Sequence, residues 1–358
     1  MAVASPERLR DDLTRLLHRG PDLQDYSHEA ARILARAVPF DGVCMLAMDP
    51  ATILPTAEVV ENGLPPAAFA RMAQIEIGGE DFNAFAALAR SEQRAASLSE
   101  ATDGELERSR RHREVRREHG LGDELRAVLV SDAATWGGLT LLRGADCRPF
   151  EPADTELLAS LSGALAEGVR RALLLAALPA DGQPDEGPAG LVLLAPDNTI
   201  TLTNEAADVW LAELPGDAMP PAVSAVAGRA RSIVDGSAPA GTSARARVQT
   251  AAGRWLLVHG STLGDDANAQ TAVIIEPARP HELAPLIADA YALTERERVV
   301  TQLVAQGLST DAIAGSLHLS PWTVQDHLKA IFEKVEVSTR GELVARLFFE
   351  HYAPRLSD

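Results

Sequence analysis

Lys329 and Lys334 are the only lysines in the 358-residue chain, and both fall near its C-terminal end. Around them stand Trp322, Gln325, Asp326 and His327, with Ser309, Ser320 and Thr323 at the starts of helical patterns. These residue types suit the edges and backbone of a nucleic-acid duplex. Glutamine pairs bidentately with adenine, a carboxylate accepts from cytosine N4, and lysine meets guanine or phosphate. Hydroxyls and an imidazole N–H suit phosphate oxygens. Bond-making chemistry is not legible. No Ser/His/Asp, Cys/His or paired-carboxylate set is recognisable, and no Gly-Lys-Ser/Thr loop is present. Cys44 and Cys147 are too few for a disulfide framework or a zinc site. His18, His28 and His281 lack metal-ligand spacing. The expectation is a protein that is not an enzyme, with no cofactor and no metal.

Short helices must hold those side chains. Thr294 precedes Glu297 by three residues, a capping box. Gly307 ends one pattern and Ser309 caps the next. Ser320-Pro321 is an N-cap with proline in the first helical turn. In the third helix Val324, Leu328, Ile331, Phe332 and Val335 make one apolar stripe. Trp322, Gln325, Asp326 and Lys329 share another face. In the second helix Ile313, Ala314 and Leu317 turn inward, and a fourth runs from about Arg340 to Tyr352. Helices joined by a tight turn are the format of a helix-turn-helix.

The ordered set Leu293-Thr294-x-Arg296-Glu297, Gly307-Leu308-Ser309, Ile313-Ala314 and Leu319-Ser320-Pro321-x-Thr323-Val324-x-x-His327-Leu328-x-x-Ile331-Phe332-x-Lys334 resembles the LuxR/FixJ-type DNA-binding domain. The resemblance implies DNA contacts from Ser309, Ser320, Trp322, Thr323, Gln325, Asp326, His327, Lys329 and Lys334. Two departures stand out: Gln325-Asp326 where the family usually has Lys or Arg, and Glu336 where it usually has glycine.

The formal net charge is −18. From Asp289 onward seven Lys and Arg face ten acids. Affinity for random DNA should be low and steeply salt-dependent. The near-absence of lysine excludes a phosphate-accepting receiver domain upstream. No apolar run is long enough to cross a membrane, and Met1 to Gly20 is charged throughout, unlike a signal peptide. A reducing cytoplasm is the expected compartment.

Upstream, helical patterns at Pro6 to Arg19 and Tyr26 to Val38 precede an apolar run, Gly42 to Met48, that reads as a buried strand. Glu58 to Glu61 reads as a second strand, and Asp81 to His119 as helical and charged. Leu125 to Ser131 and Trp136 to Arg143 form a strand pair, followed by a long helix from Asp154 to Ala177. This order, with Phe40-Asp41-Gly42, Gly120-Leu121-Gly122 and Trp136-Gly137-Gly138, resembles a GAF sensor domain. The residue set of cyclic-nucleotide-binding members is missing. Arg108 to His119 is the most basic stretch. A solvated helix face, with Glu107 pairing Arg111 at i, i+4, is favoured there over an anion or phosphate site.

Residues 176–190 hold three prolines and read as a linker. Strand patterns then flank Asp197-Asn198, Asn204 opens a helix, and Arg254 to Gly260 and Thr271 to Pro277 form another strand pair. This arrangement resembles a PAS domain, without the cysteine that light-sensing members need. Its lone His259 reads as a solvated or satisfied residue.

The expected fold is multidomain α+β: GAF-like (12–178) and PAS-like (187–278) antiparallel-sheet sensor domains, then an all-α four-helix LuxR-type helix-turn-helix domain (288–354). The expected function is a one-component, sequence-specific transcription regulator whose sensor domains control or assemble the DNA-binding end. Its partners would be double-stranded DNA, a second copy of the chain, RNA polymerase, and an unidentified small molecule in the GAF or PAS domain, with no membrane. The alternative is a GAF/PAS signalling protein that acts through protein contacts, its DNA affinity weak or lost.

Overall fold

The computed structural model describes residues 5–79, 81–175, 187–216, 219–264 and 269–349. The chain divides into two compact units, one holding residues 1–176 and 186–277, the other residues 278–358 with 177–185.

In the first unit, Ser5 and Asp22 cap α1 (Pro6–Leu17) and α2 (Leu23–Leu34) by accepting from the N–H three residues on. Then come β1 (Gly42–Asp49), β2 (Leu54–Glu61), α3 (Pro66–Gly78), α4 (Phe85–Arg90), β3 (Ala95–Ser97), α5 (Leu98–Ala101), β4 (Leu121–Ser131), β5 (Ala134–Gly144) and α6 (Pro152–Leu175). The strands form an antiparallel sheet in the order β2-β1-β5-β4-β3. Helix α6 covers β4 and β5, and α1 and α2 pack on it. At Gly168 the Tyr26 ring lies so close that a Cβ would overlap it, and the Tyr26 hydroxyl donates to the Leu165 carbonyl at 3.2 Å.

The expected charged helical run from Asp81 to His119 is corrected. It holds α4, the edge strand β3, α5 and short helical turns. Asn83, Asp103, Gly104 and Gly120 take positive φ and interrupt helix there. Asp81 ties the stretch together, accepting from the Ser109 hydroxyl at 2.9 Å and the Arg111 N–H at 2.8 Å.

A second antiparallel sheet follows: β6 (Gly190–Leu194), β7 (Ile200–Thr203), α7 (Glu205–Glu213), α8 (Pro221–Val234), β8 (Arg245–Gln249), β9 (Trp255–Leu263) and β10 (Gln270–Pro277). Its order, β7-β6-β10-β9-β8, repeats the first sheet's pattern strand for strand. Asn204 caps α7 through the Ala207 N–H and also accepts from Leu191 N–H, both at 2.9 Å. Helix α8, which the sequence reading missed, lies against β9. The core of this second sheet includes Leu54 from β2, with Ile77 from α3 packed on it. Asp49 and Arg247, both buried, join the two sheets; the Arg247 N–H and Nε donate to Asp49 at 2.8 and 2.9 Å.

The second unit is helical: α9 (Pro280–Ala290), α10 (Glu295–Ala305), α11 (Thr310–Leu317), α12 (Pro321–Val335), α13 (Arg340–Val344) and a π-helical turn, Ala345–Phe349. The expected fourth helix ran to Tyr352, which lies outside the described residues, as does most of the expected 176–190 linker. Leu293, Val300, Val304, Ile313, Ala314, Val324, Leu328, Ile331, Val335 and Leu343 form the interior. The fold is therefore two antiparallel five-stranded sheets followed by a helical domain. No helix among the described residues is long and apolar enough to cross a membrane.

Candidate nucleic-acid interface

Capping side chains fix where α10, α11 and α12 begin. Thr294 and Glu297 form a reciprocal capping box on α10. Ser309 accepts from the Ala312 N–H at 3.2 Å and starts α11. Ser320 accepts from the Thr323 N–H at 3.1 Å and starts α12, with Pro321 as its first residue. Between α11 and α12 lie only His318, Leu319 and Ser320. His318 takes the left-handed conformation (φ 53°), and the Leu319 N–H returns to the Ala314 carbonyl at 2.9 Å. That closure turns the chain sharply, and α12 leaves on a new axis.

On α12, Val324, Leu328, Ile331 and Val335 are buried, and Phe332 is half-buried. Trp322, Gln325, Asp326 and Lys329 are all exposed. Their positions, i, i+3, i+4 and i+7, make one stripe on the side away from the core. An open groove of about 410 Å³, lined by Thr310, Gln325, Lys329, Glu333 and Arg340 among others, runs beside this stripe. Thr323 and His327 are half-buried at its margin, and Ser309 and Ser320 are exposed at the helix starts. Eight of the nine expected DNA-contact residues thus lie on the stripe, at its margin or at the helix starts.

Lys334 departs from that expectation. Its ammonium donates to the Ala292 carbonyl at 2.9 Å and to Glu297 at 2.7 Å. It anchors α12 to the start of α10, and Lys329 is the lysine left on the outward stripe. Burial pushes the Glu297 carboxyl up, but the Lys334 ammonium and the Thr294 N–H and hydroxyl more than offset it, holding the group below the usual carboxylate range.

Sequence reading missed two arginines that brace the motif. Arg340 donates to the Leu308 carbonyl at 2.8 Å and to the Thr310 hydroxyl at 2.9 Å, tying α13 to the start of α11. Arg296 donates to the Leu317 carbonyl at 3.1 Å. Arg296 stands in the matched Leu293-Thr294-x-Arg296-Glu297 pattern, but no local spacing gives either arginine its bracing role, because their partners are carbonyls and a hydroxyl about 20 to 30 residues away. Glu336, in the place the family usually gives to glycine, ends α12 with φ 58° and ψ 46°. This is the left-handed cap that favours glycine.

The basic stretch in the first unit corrects another expectation. Arg108, Arg110, Arg113 and Arg117 face solvent, but Arg111 and Arg116 are buried. Glu107 pairs with Arg117 at 3.1 Å and not with Arg111. Arg111, Arg116 and Arg126 converge on the fully buried Glu124, with Arg111 Nε at 2.6 Å and Arg126 Nε at 3.3 Å. Asp81 holds Arg111 at 3.1 Å and Glu76 holds Arg126 at 2.5 Å. Burial, then the like charge of Arg126, lowers the Arg111 and Arg116 guanidiniums from their usual range. Three cations and three carboxylates close this interior.

The remaining chemistry-bearing residues stay apart. Burial pushes the Cys44 thiol up to about 12. Cys147 is exposed, and its hydrogen bond to Asp41 also raises it. Both are poor nucleophiles. His259, half-buried on β9, lies 3.6 Å from Glu276. Among the described residues no cluster of three or more His, Cys, Asp or Glu could hold a metal ion.

Two short helices joined by a three-residue turn, the second with a polar outer stripe, define a helix-turn-helix. Residues 291–347 match the family described as bacterial regulatory proteins, luxR family, so this segment is a LuxR-type helix-turn-helix domain. The chain is 39% identical over 67 residues to the transcriptional regulatory protein DesR of Bacillus subtilis, which covers 19% of this chain and 34% of that protein. It is 46% identical over 56 residues to the transcriptional regulatory protein UhpA of Escherichia coli, 16% of this chain and 29% of that one. The chain thus spans about a third of the length of these curated relatives. Among solved structures, Escherichia coli SdiA is similar at a TM-score of 0.33 and 13% identity, over 93% of this chain and 94% of that one. The phycoerythrobilin-bound GAF domain of a cyanobacterial phytochrome is similar at a TM-score of 0.34 and 15% identity, over 48% of this chain and 98% of that one.

Proposed function

We propose that the chain is a cytoplasmic, one-component transcription regulator that binds double-stranded DNA sequence-specifically through α12. The observation that carries this is the exposed stripe Gln325, Asp326 and Lys329 on the second helix of the motif. Among the described residues none of these three side chains makes a hydrogen bond or ion pair, so all are free for base edges. Gln325 is assigned to adenine, Asp326 to a cytosine N4 and Lys329 to guanine. Ser309, Ser320, Thr323 and His327 are assigned to phosphate. Lys334 is assigned to bracing α12.

The two sheet domains, 12–178 and 187–278, are proposed to be GAF-like and PAS-like sensors that control or assemble the DNA-binding domain at 288–354. A dimer meeting two half-sites would supply the affinity that an acidic domain lacks. RNA polymerase and a small-molecule signal are the further partners of this reading.

The test is selection from a random duplex pool by the purified full chain. One enriched sequence is expected, and Gln325→Ala or Lys329→Ala should relax it at one position. Enrichment of nothing would overturn the reading. A second reading, regulation through protein contacts with DNA affinity lost, draws on Asp326 and on the inward turn of Lys334. Footprinting on promoter DNA separates the two.

A further inference from the structure

Trp322 is 77% exposed. The other large apolar side chains exposed among the described residues, Leu202, Val209, Ile233, Val234 and Leu263, range from 42% to 53%. Scattered exposed aliphatics are ordinary on a protein surface. An indole is different, because its large face gives up much hydration free energy when covered. In its own domain the Trp322 indole N–H makes no hydrogen bond among the described residues.

Its place points to what covers it. Trp322 is the second residue of α12. It precedes Gln325, Asp326 and Lys329 by three, four and seven residues and so heads the same stripe. In a docked helix-turn-helix the N-terminal part of the second helix meets base edges. The indole carries no charge and a single donor, so a phosphate contact would leave its large apolar face uncovered. The major groove offers one prominent apolar group, the C5-methyl of thymine. The charge balance favours the same occupant. Lys329 stands between Asp326 and Glu333, both exposed, so phosphate attraction along the stripe is weak. Apolar burial adds affinity that salt does not screen.

We propose that Trp322 is a specificity-determining residue that covers a thymine methyl at one end of the half-site. This rests on the DNA-binding reading above, and it adds the base and the physical term involved.

The experiment uses the full chain and the sequence it selects. Replacing thymine by deoxyuridine removes the methyl and leaves every hydrogen-bonding group in place. At one thymine this exchange should weaken the wild-type protein about fourfold, the worth of one buried methyl. With Trp322→Ala the same exchange should do nothing, and the selected sequence should lose its preference for thymine there. Trp322→Phe should retain part of the effect. The fourfold loss should be equal at low and high salt, unlike that of Lys329→Ala. Unfolding midpoints should be unchanged in both Trp322 variants. If deoxyuridine is without effect at every thymine while the wild type still selects a sequence, the inference fails and DNA binding stands. Trp322→Ala binding DNA as the wild type does would also overturn it and would direct the indole to a protein partner. If the wild type selects no DNA, the DNA-binding reading fails and this inference falls with it.

Discussion

In the interior of the first unit, Arg111, Arg116 and Arg126 are buried and each meets a carboxylate. On α12, Gln325, Asp326 and Lys329 are exposed and meet no partner among the described residues. The first set has committed its charge to buried carboxylates and so to holding the fold. The second has kept its polar groups for another molecule. Local charge density would rank the two the other way, since the arginine stretch is the most basic in the chain and α12 is not basic. Partnering, not charge, separates a structural from a recognising group.

Six substitutions test that division. The largest effect is expected from Glu124→Gln. It leaves three buried guanidiniums short of a counter-charge and should cost about 3–5 kcal/mol, read as a lowered denaturant midpoint for the first unit. A midpoint within experimental error of the wild type would show that the arginines find water or other partners.

Gln325→Ala should behave in the opposite way. Stability should hold, while discrimination at one base position falls by roughly 1–3 kcal/mol. Binding titrations against single-base operator variants measure it, and an equal loss on all sequences would remove Gln325 from base reading.

Lys334 sharpens the contrast, because it lies on the same helix as Lys329 yet faces inward. Lys334→Ala should cost about 1.5 kcal/mol of domain stability, seen in thermal melts of the full chain. Lys329→Ala should leave the melt alone and flatten the salt dependence of DNA binding. The partner of Lys334 adds a pH dependence. The Glu297 carboxyl is held below its ordinary value of 4.5 in the folded chain. Its contribution is therefore complete above that value and lost as pH falls through the folded-state pKa. Glu297→Gln should flatten the acid limb of a stability profile for this domain, and an unaltered limb would dismiss the Lys334 pairing as its source.

The smallest effect is expected at Glu336, where relief of left-handed strain by Glu336→Gly should raise stability by about 1 kcal/mol. A loss instead would mean that the Glu336 side chain contributes more than its backbone strain costs.

The helix-turn-helix was legible because its information is local. Thr294, Ser309 and Ser320 cap within three residues, and the α12 stripe repeats at helical spacing. Eight of the ten strands were legible from apolar runs bounded by turn residues such as Asp197-Asn198, while β3 fell inside the run read as helical and β8 went unread. What escaped depends on distant partners. Arg111 finds Glu124 and Asp81, 13 and 30 residues away, so an i, i+4 search with Glu107 chose the wrong acid. Helix α8 escaped for a related reason. Pro221 to Ala227 are all buried, so small residues fill every side and no amphipathic period shows. Helix α9 carries Pro285 inside it, a residue that ordinarily ends or kinks a helix.

The second sheet's core is completed by residues that precede it in the chain by more than a hundred positions, Leu54 and Ile77. Synthesis runs from the N-terminus, and domains generally fold in that order. The first sheet can therefore be in place, with β2 and α3 presented, before α8 and β8 leave the ribosome. The later sheet then condenses on a surface already made. An earlier-folded neighbour thus acts as an intramolecular template, and a release of the second sheet from the first would uncover its own apolar interior along with the wall it was built against.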